Sequence, residues 1–195
     1  MATNRKLVVT ENMTVDGVID AGGSWFAPPD DADVDYSDIQ AALREHMAAQ
    51  DALLLGRMTF ESFRDYWPKK TGDTTGVAEH LNDVEKYVIS STLADPQWEN
   101  TSVLRGDLIT EAQALKEQPG GEIGVNGSIS VVWKLFAAGL VDEFRLFVYP
   151  TILGKGRRLF ESEAAQPTLQ FLDATSFNSG VVLLTYRAKS LPKRA

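Results

Sequence analysis

Apolar residues along the chain fall into short runs separated by stretches of helical spacing. Leu7-Val8-Val9-Thr10, Leu53-Leu54-Leu55 and Tyr87-Val88-Ile89-Ser90 are brief apolar runs, the first and third rich in β-branched residues, the pattern of strands buried on both faces. Glu122 to Val125, Glu143 to Pro150, Leu169 to Phe177 and Val181 to Arg187 predict further strands. Between them, Ile39, Ala42, Leu43 and Met47 recur on one face and predict a helix from Asp38 to Gln50, with Asp38 as N-cap. A second helix, Glu111 to Gln118, stops at Pro119-Gly120-Gly121, and a third, Ser128 to Ala138, has Gly139 as its C-cap. Strand and helix alternate until two strands adjoin at the end. The expectation is an α/β fold, a central mostly parallel sheet flanked by helices with a C-terminal antiparallel hairpin. Ala27 to Asp35 and Lys69 to Gly76 predict loops beside one core, so one domain is expected over 1–195.

Composition narrows the function classes. No apolar run approaches the roughly 20 residues that span a bilayer, and Met1 to Lys6 lead into a strand without signal-peptide features. A cytoplasmic protein without a membrane partner is expected. Cysteine is absent, which removes disulfides, a thiolate nucleophile and cysteine metal sites; redox chemistry would have to come from a bound cofactor. The net charge of −8 opposes attraction to nucleic acid or anionic lipid. His46 and His80 form no metal motif, so no metal is expected. Trp67, Trp98 and Trp133 lack an accompanying basic stripe and read as core or interface anchors.

Three segments can carry chemistry. Leu53 to Glu61 runs from a buried strand into a predicted helix through Gly56. Glycine there lets backbone N–H groups approach an anion, Arg57 adds a planar fork for phosphate and Thr59 a hydroxyl. Ile123-Gly124-Val125-Asn126-Gly127-Ser128 is a second strand-to-helix turn of small residues, without the Gly-x-Gly-x-x-Gly spacing of an ordinary Rossmann domain. Ile89-Ser90-Ser91-Thr92 sets three hydroxyls at a strand end, where they can bond a ribose or its phosphate. Each segment taken singly also fits a plain turn, with Arg57 solvated and Ser128 as an N-cap; two such turns after two strands weaken the plain-turn reading of both.

The order of these segments resembles the dihydrofolate reductase-like family. Within it the chain is similar to the branch of the C-terminal reductase domain of the riboflavin-pathway deaminase–reductase, in stand-alone bacterial form. The resemblance begins at Met13-Thr14-Val15-Asp16-Gly17-Val18-Ile19 and Ser24-Trp25, and continues through Gly56 to Glu61, Ser90-Ser91-Thr92 and Gly124 to Ser128. It closes at Tyr149-Pro150-Thr151-Ile152-Leu153-Gly154-Lys155-Gly156. It implies NADPH as cofactor, with Gly56, Arg57 and Thr59 at its phosphates and Ser90 and Ser91 at the adenosine ribose. Gly124, Asn126, Gly127 and Ser128 would line the pyrophosphate and nicotinamide side, and Asn12 and Ile19 would flank the nicotinamide ring. Asp16, Trp25, Phe60, Leu153 and Gly154 would border the substrate, with Asp16 as candidate proton donor; a turn residue before Gly17 is the other reading of Asp16.

The implied activity is hydride transfer to a small heterocyclic or carbonyl substrate, the relative's own being 5-amino-6-(5-phosphoribosylamino)uracil. The alternative is a non-catalytic dinucleotide-binding or assembly protein that keeps the fold. The chain departs from folate reductases at Met58 and Ile129, where they carry polar or basic phosphate contacts. The 2′-phosphate preference then rests on Arg57, the hydroxyls and Arg105, and NADH stays open. Asp33, Asp35 and Asp38 lie in an acidic stretch with no clear counterpart of the pteridine-binding carboxylate, and without cysteines the zinc deaminase half has no equivalent. Phe136, Leu140, Phe144, Leu146 and Phe147 form an apolar concentration suited to core or to a dimer interface, and the resemblance implies a homodimer.

Overall fold

The computed structural model describes residues 4–19, 25, 34–160 and 168–189; Ser24 and Asp33 lie outside them. The strands are β1 (Leu7–Thr14), β2 (Gln50–Gly56), β3 (Glu85–Ile89), β4 (Thr101–Leu104), β5 (Glu122–Val125), β6 (Glu143–Tyr149), β7 (Gln170–Ser176) and β8 (Val182–Arg187). They form one sheet in the order β4-β3-β2-β5-β1-β6-β8-β7. All pairings from β4 to β6 are parallel, and β8 runs antiparallel to both β6 and β7. This is the expected sheet with its C-terminal hairpin.

The helices are α1 (Ser37–Ala49), α2 (Arg57–Tyr66), α3 (Val77–Asp83), α4 (Leu108–Glu117) and α5 (Ile129–Ala137). Leu54 packs with the apolar faces of α4 and α5, while Leu53 and Leu55 pack with Phe60 of α2 and Leu81 of α3. β2 is thus covered on both faces, and its sequence is a run for that reason. On β6, Phe144 and Leu146 join the α4–α5 side, and Phe147 joins Ile39 of α1 on the other. Phe136, Phe144, Leu146 and Phe147 are at most 4% exposed, so the apolar concentration they form is core and leaves no surface for a partner. Among the described residues no helix is long and apolar enough to cross a membrane.

Helix ends follow local chemistry, with one correction. α5 closes as a Schellman motif: Gly139 (φ 71) donates to Phe136 O at 2.9 Å and Leu140 N to Leu135 O at 3.0 Å. α1 starts one residue before Asp38, with Tyr36 in the cap position, so Asp38 is not the N-cap. Its carboxylate instead accepts from Ile39 N and Asn178 N, both at 2.7 Å, tying α1 to the β7–β8 turn. Beyond the predicted loop, α3 begins after Gly76 (φ 84), where Asp73 accepts from Ala78 N at 2.9 Å. It and β4 have no counterpart among the predicted elements. α3 is seven residues long and β4 four, too short for a periodic signal.

The topology fixes where a ligand can sit. β1 and β5 are neighbours. The chain leaves β1 through α1 toward β2, and leaves β5 through α5 toward β6, in opposite directions and on opposite faces. That reversal opens a crevice at the carboxyl ends of β1 and β5, the usual binding position in open parallel sheets.

Candidate active site

Every segment singled out from the sequence lies on this carboxyl-end rim: 12–19 at the end of β1, 56–60 after β2, 90–92 after β3, 124–128 at and after β5, and 149–154 after β6. The two glycine turns touch. Gly56 N donates to Gly127 O at 3.3 Å. A Cβ on Gly56 would lie 2.5 Å from Ser128 Oγ and 3.2 Å from Ser128 N, and one on Gly127 (φ 108) would lie 2.9 Å from Thr59 Oγ1. A Cβ on Gly124 would meet Gln50 Oε1 at 2.6 Å and Leu53 Cδ2 at 2.8 Å, so the missing side chain also lets β5 pack closely on β2.

α2 and α5 both begin at this contact. Neither has a side-chain cap or an acidic residue in its first turn, which leaves two sets of helix-start amides to an incoming anion. Ser128 occupies the N-cap position of α5, but its Oγ lies 3.1 Å from Ser130 Oγ. Arg57 pairs with Glu61 one helical turn on, at 3.1 Å. Such an exposed pair contributes only a few tenths of a kcal/mol and offers little resistance to a phosphate. Met58, beside it, is 66% exposed.

At the end of β3, Ser90 Oγ accepts from Thr92 N at 3.2 Å and Leu93 N at 3.0 Å, keeping its hydroxyl proton for donation. Ser91 is exposed, and its carbonyl accepts from Arg105 Nη1 at 3.3 Å. Arg105 thereby joins the two serines on the flank of the cradle.

Across the crevice, pairing of β1 with β5 ends at Val9 and Val125, and Asn126 Nδ2 then bridges to Thr10 O at 3.1 Å. Asn12 is exposed, while Ile19 packs against the α4–α5 core and bonds Arg157 O through its amide. Trp25 sets its ring edge-on to Tyr149, centroids 5.4 Å apart.

Asp16 holds the rim together. Its carboxylate accepts from Thr14 Oγ1 at 2.6 Å, Gly154 N at 2.8 Å and Leu153 N at 3.3 Å, while Arg158 Nε donates to its carbonyl at 2.9 Å. The Thr14 hydroxyl and then the two amides hold the carboxyl down at about 2. At neutral pH it is an acceptor with no proton to give. Leu153, Ile152 and Val15 are 39%, 74% and 60% exposed around it, an apolar rim. Phe60 is elsewhere: fully buried, its ring 5.7 Å from that of Trp98, it belongs to the core beneath α2 and has no surface to offer a substrate.

Two polar groups in the crevice strand are not among the residues that the sequence motifs single out. Thr10 Oγ1 and Glu11 Oε1 are buried without hydrogen-bond partners among the described residues, and burial pushes the Glu11 carboxyl up to about 8. The available signal was phase: Glu11 alternates in step with Leu7, Val9 and Met13 of the core, an acid at an apolar position.

Known proteins match this arrangement along nearly its whole length. The uncharacterized protein YyaP of Bacillus subtilis strain 168 is 29% identical over 188 residues, covering 93% of this chain and 94% of YyaP. A candidate riboflavin biosynthesis protein from Shewanella sp. PV-4 superposes with a TM-score of 0.73 at 20% identity, over 94% of this chain and 99% of that one. The dihydrofolate reductase of Enterococcus faecalis, solved with NADP(H), gives 0.62 at 17% identity, over 94% and 97%. The fold is therefore that of dihydrofolate reductase. With the RibD C-terminal domain model matching residues 5–183, the chain belongs to the RibD C-terminal domain family.

Proposed function

We propose that the chain is an NADPH-dependent reductase acting on a small heterocyclic or carbonyl substrate, of the kind reduced in riboflavin biosynthesis. The observation that carries this reading is the close contact between the Gly56 and Gly127 turns, which brings two helix starts without side-chain caps or first-turn acids to one place on the rim. Family membership and a fold shared with a reductase solved with NADP(H) support it.

The bound cofactor would supply the hydride. In this reading the amides after Gly56 and Ser128, with Thr59 and Gly127, hold the pyrophosphate. Arg57 turns from Glu61 to the 2′-phosphate, helped by Ser90, Ser91 and Arg105. Asn126 fixes the width of the crevice through Thr10, and Asn12 and Ile19 wall the ring side. Gly124 keeps β5 close against β2. Trp25, Leu153 and Gly154 border the substrate, and Asp16 positions that border as an anion, leaving proton delivery to another acid or to water. The depressed Asp16 carboxyl is also what favours the second reading, a dinucleotide-binding protein without chemistry.

Titration with NADPH, followed by quenching of tryptophan fluorescence, tests the first reading; absence of quenching would end it. Arg57→Ala is expected to weaken NADPH about 10- to 100-fold, the size of one or two charge-assisted bonds, and to leave NADH nearly unchanged. Equal losses for the two cofactors would move the 2′-phosphate elsewhere. Consumption of NADPH across a panel of heterocyclic and carbonyl compounds separates enzyme from binder.

A homodimer belongs to the same reading, with a different surface from the one expected. β7 is the sheet edge, and Phe171 on it and Phe160 nearby in the α5-side aromatic group are 58% and 43% exposed. Phe171→Glu is expected to shift the sedimentation mass from two chains to one. An unchanged mass would exclude this edge.

A further inference from the structure

The register of β1 places one residue where the crevice opens and the mechanism above does not use it. Glu11 lies two positions beyond the last β1–β5 pair, Val9 with Val125, so what stands beside it on that flank is the Asn126-Gly127-Ser128 turn and the start of α5. Its phase, shared with Leu7, Val9 and Met13, turns it to the α4–α5 side, where its partner across the ladder is Leu146 and the next strand contributes Leu184. Oε1 is buried and has no hydrogen-bond partner among the described residues. A buried polar atom without a partner is rare enough to require a reason, and a ligand that completes it is one.

We propose that Glu11 is a ligand-contacting residue whose carboxyl hydrogen-bonds the carboxamide of the nicotinamide where β1 parts from β5. The proposal rests on the reading of the site as a dinucleotide site. Chemistry selects this partner: with burial pushing the acid to about 8, Glu11 at neutral pH is a neutral carboxylic acid, one donor and one acceptor, the complement of a primary amide. Desolvation alone produces that shift. On the elements packed around this part of β1, Tyr186 of β8 shares the face, Lys134 of α5 is exposed and Arg158 reaches Asp16. Arg157 is exposed on the segment that bonds Ile19, and Glu143 and Arg145 of β6 alternate to the opposite face.

The test is NADPH affinity by tryptophan quenching between pH 6.5 and 9.5 for the wild-type chain, Glu11→Gln and Glu11→Leu. Thermal melts confirm that each variant is folded, and adenosine 2′,5′-bisphosphate serves as a probe that lacks the nicotinamide. The wild-type protein is expected to lose about tenfold in affinity for NADPH as Glu11 ionises above pH 8. Glu11→Gln should match it at pH 7 and hold that affinity at pH 9.5. Glu11→Leu should be weaker by about tenfold throughout, with binding of the bisphosphate unaltered in all three. If NADPH binds with the same affinity and pH profile in all three proteins, the carboxamide contact is overturned and the dinucleotide site stands. If NADPH fails to bind the wild-type chain at any pH, the dinucleotide reading falls and takes the contact with it.

Discussion

Gly56→Val is expected to abolish dinucleotide binding at concentrations that saturate the wild-type protein, a loss of about 100-fold or more. The reason is space rather than backbone conformation. Gly56 has φ −76 and ψ 152, an extended geometry open to any residue, so valine meets no torsional objection. What it meets is the other turn. Its Cβ would fall 2.5 Å from Ser128 Oγ, 3.1 Å from Val131 Cγ2 and 3.2 Å from Ser128 N. The serine hydroxyl can rotate away, but the amide is main chain and Val131 is fixed in the core, so α5 must retreat from α2. Displacing one wall of an anion cradle by about 1 Å is enough for roughly a 100-fold loss, and overpacking of this kind costs about 1–3 kcal/mol of stability. Gly56→Ala, which lacks the branches, should fall between. Calorimetric titration with NADPH, alongside a thermal melt showing the variant folded, checks the expectation; a valine variant that binds normally would show that the two turns do not form one cradle.

Arg145→Leu is expected to bring the largest loss of stability among simple substitutions. Arg145 bonds Glu122 through both terminal nitrogens, at 2.9 and 3.0 Å, and Glu143 through Nε at 2.7 Å. All three side chains are at most 16% exposed. Leucine leaves two buried carboxylates without their guanidinium, Glu122 losing both bonds to it and Glu143 keeping only Lys6 at 3.5 Å. Removing one partner from a buried network costs about 3–5 kcal/mol, which in a domain of this size lowers the melting temperature by roughly 10 °C. Adding Glu122→Gln and Glu143→Gln to Arg145→Leu removes the stranded charges and should recover most of the loss. Urea unfolding of the single and triple variants measures both terms. A single variant as stable as the parent would mean that the network is already solvated.

The parts of this fold legible in the sequence are those where burial is uniform. β1, β2 and β3 are covered on both faces by helices and so appear as apolar runs, and α5 carries Val131, Val132, Leu135 and Phe136 inward with a glycine to stop it. β4 and α3 were invisible because each is too short to repeat its own period. The α1 boundary slipped because Asp38 resembles a cap, while its carboxylate is engaged by the distant Asn178 amide, a contact no local pattern contains. The candidate site was legible as places rather than as roles. Gly56 and Gly127 announce two tight turns, but only the fold reveals that they touch each other. Phe60 stands next to Thr59 in sequence, and the helical turn sends it into the core. Glu11 was hidden by its neighbours, since an acid inside Leu7 to Thr14 reads as an interruption of the strand until the register shows where it points.

Asp16 has a consequence for selectivity at the rim. The amides of Leu153 and Gly154 form a small concavity with the geometry of an anion receptor, and the chain fills it with a carboxylate of its own. Any carboxylate or phosphate arriving there meets an occupant that is covalently attached, ionised at every physiological pH and already bonded to Thr14. The rim therefore carries a built-in competitor. At the Leu153 and Gly154 amides themselves, a second anion would have to displace position 16 and open the loop that it fastens.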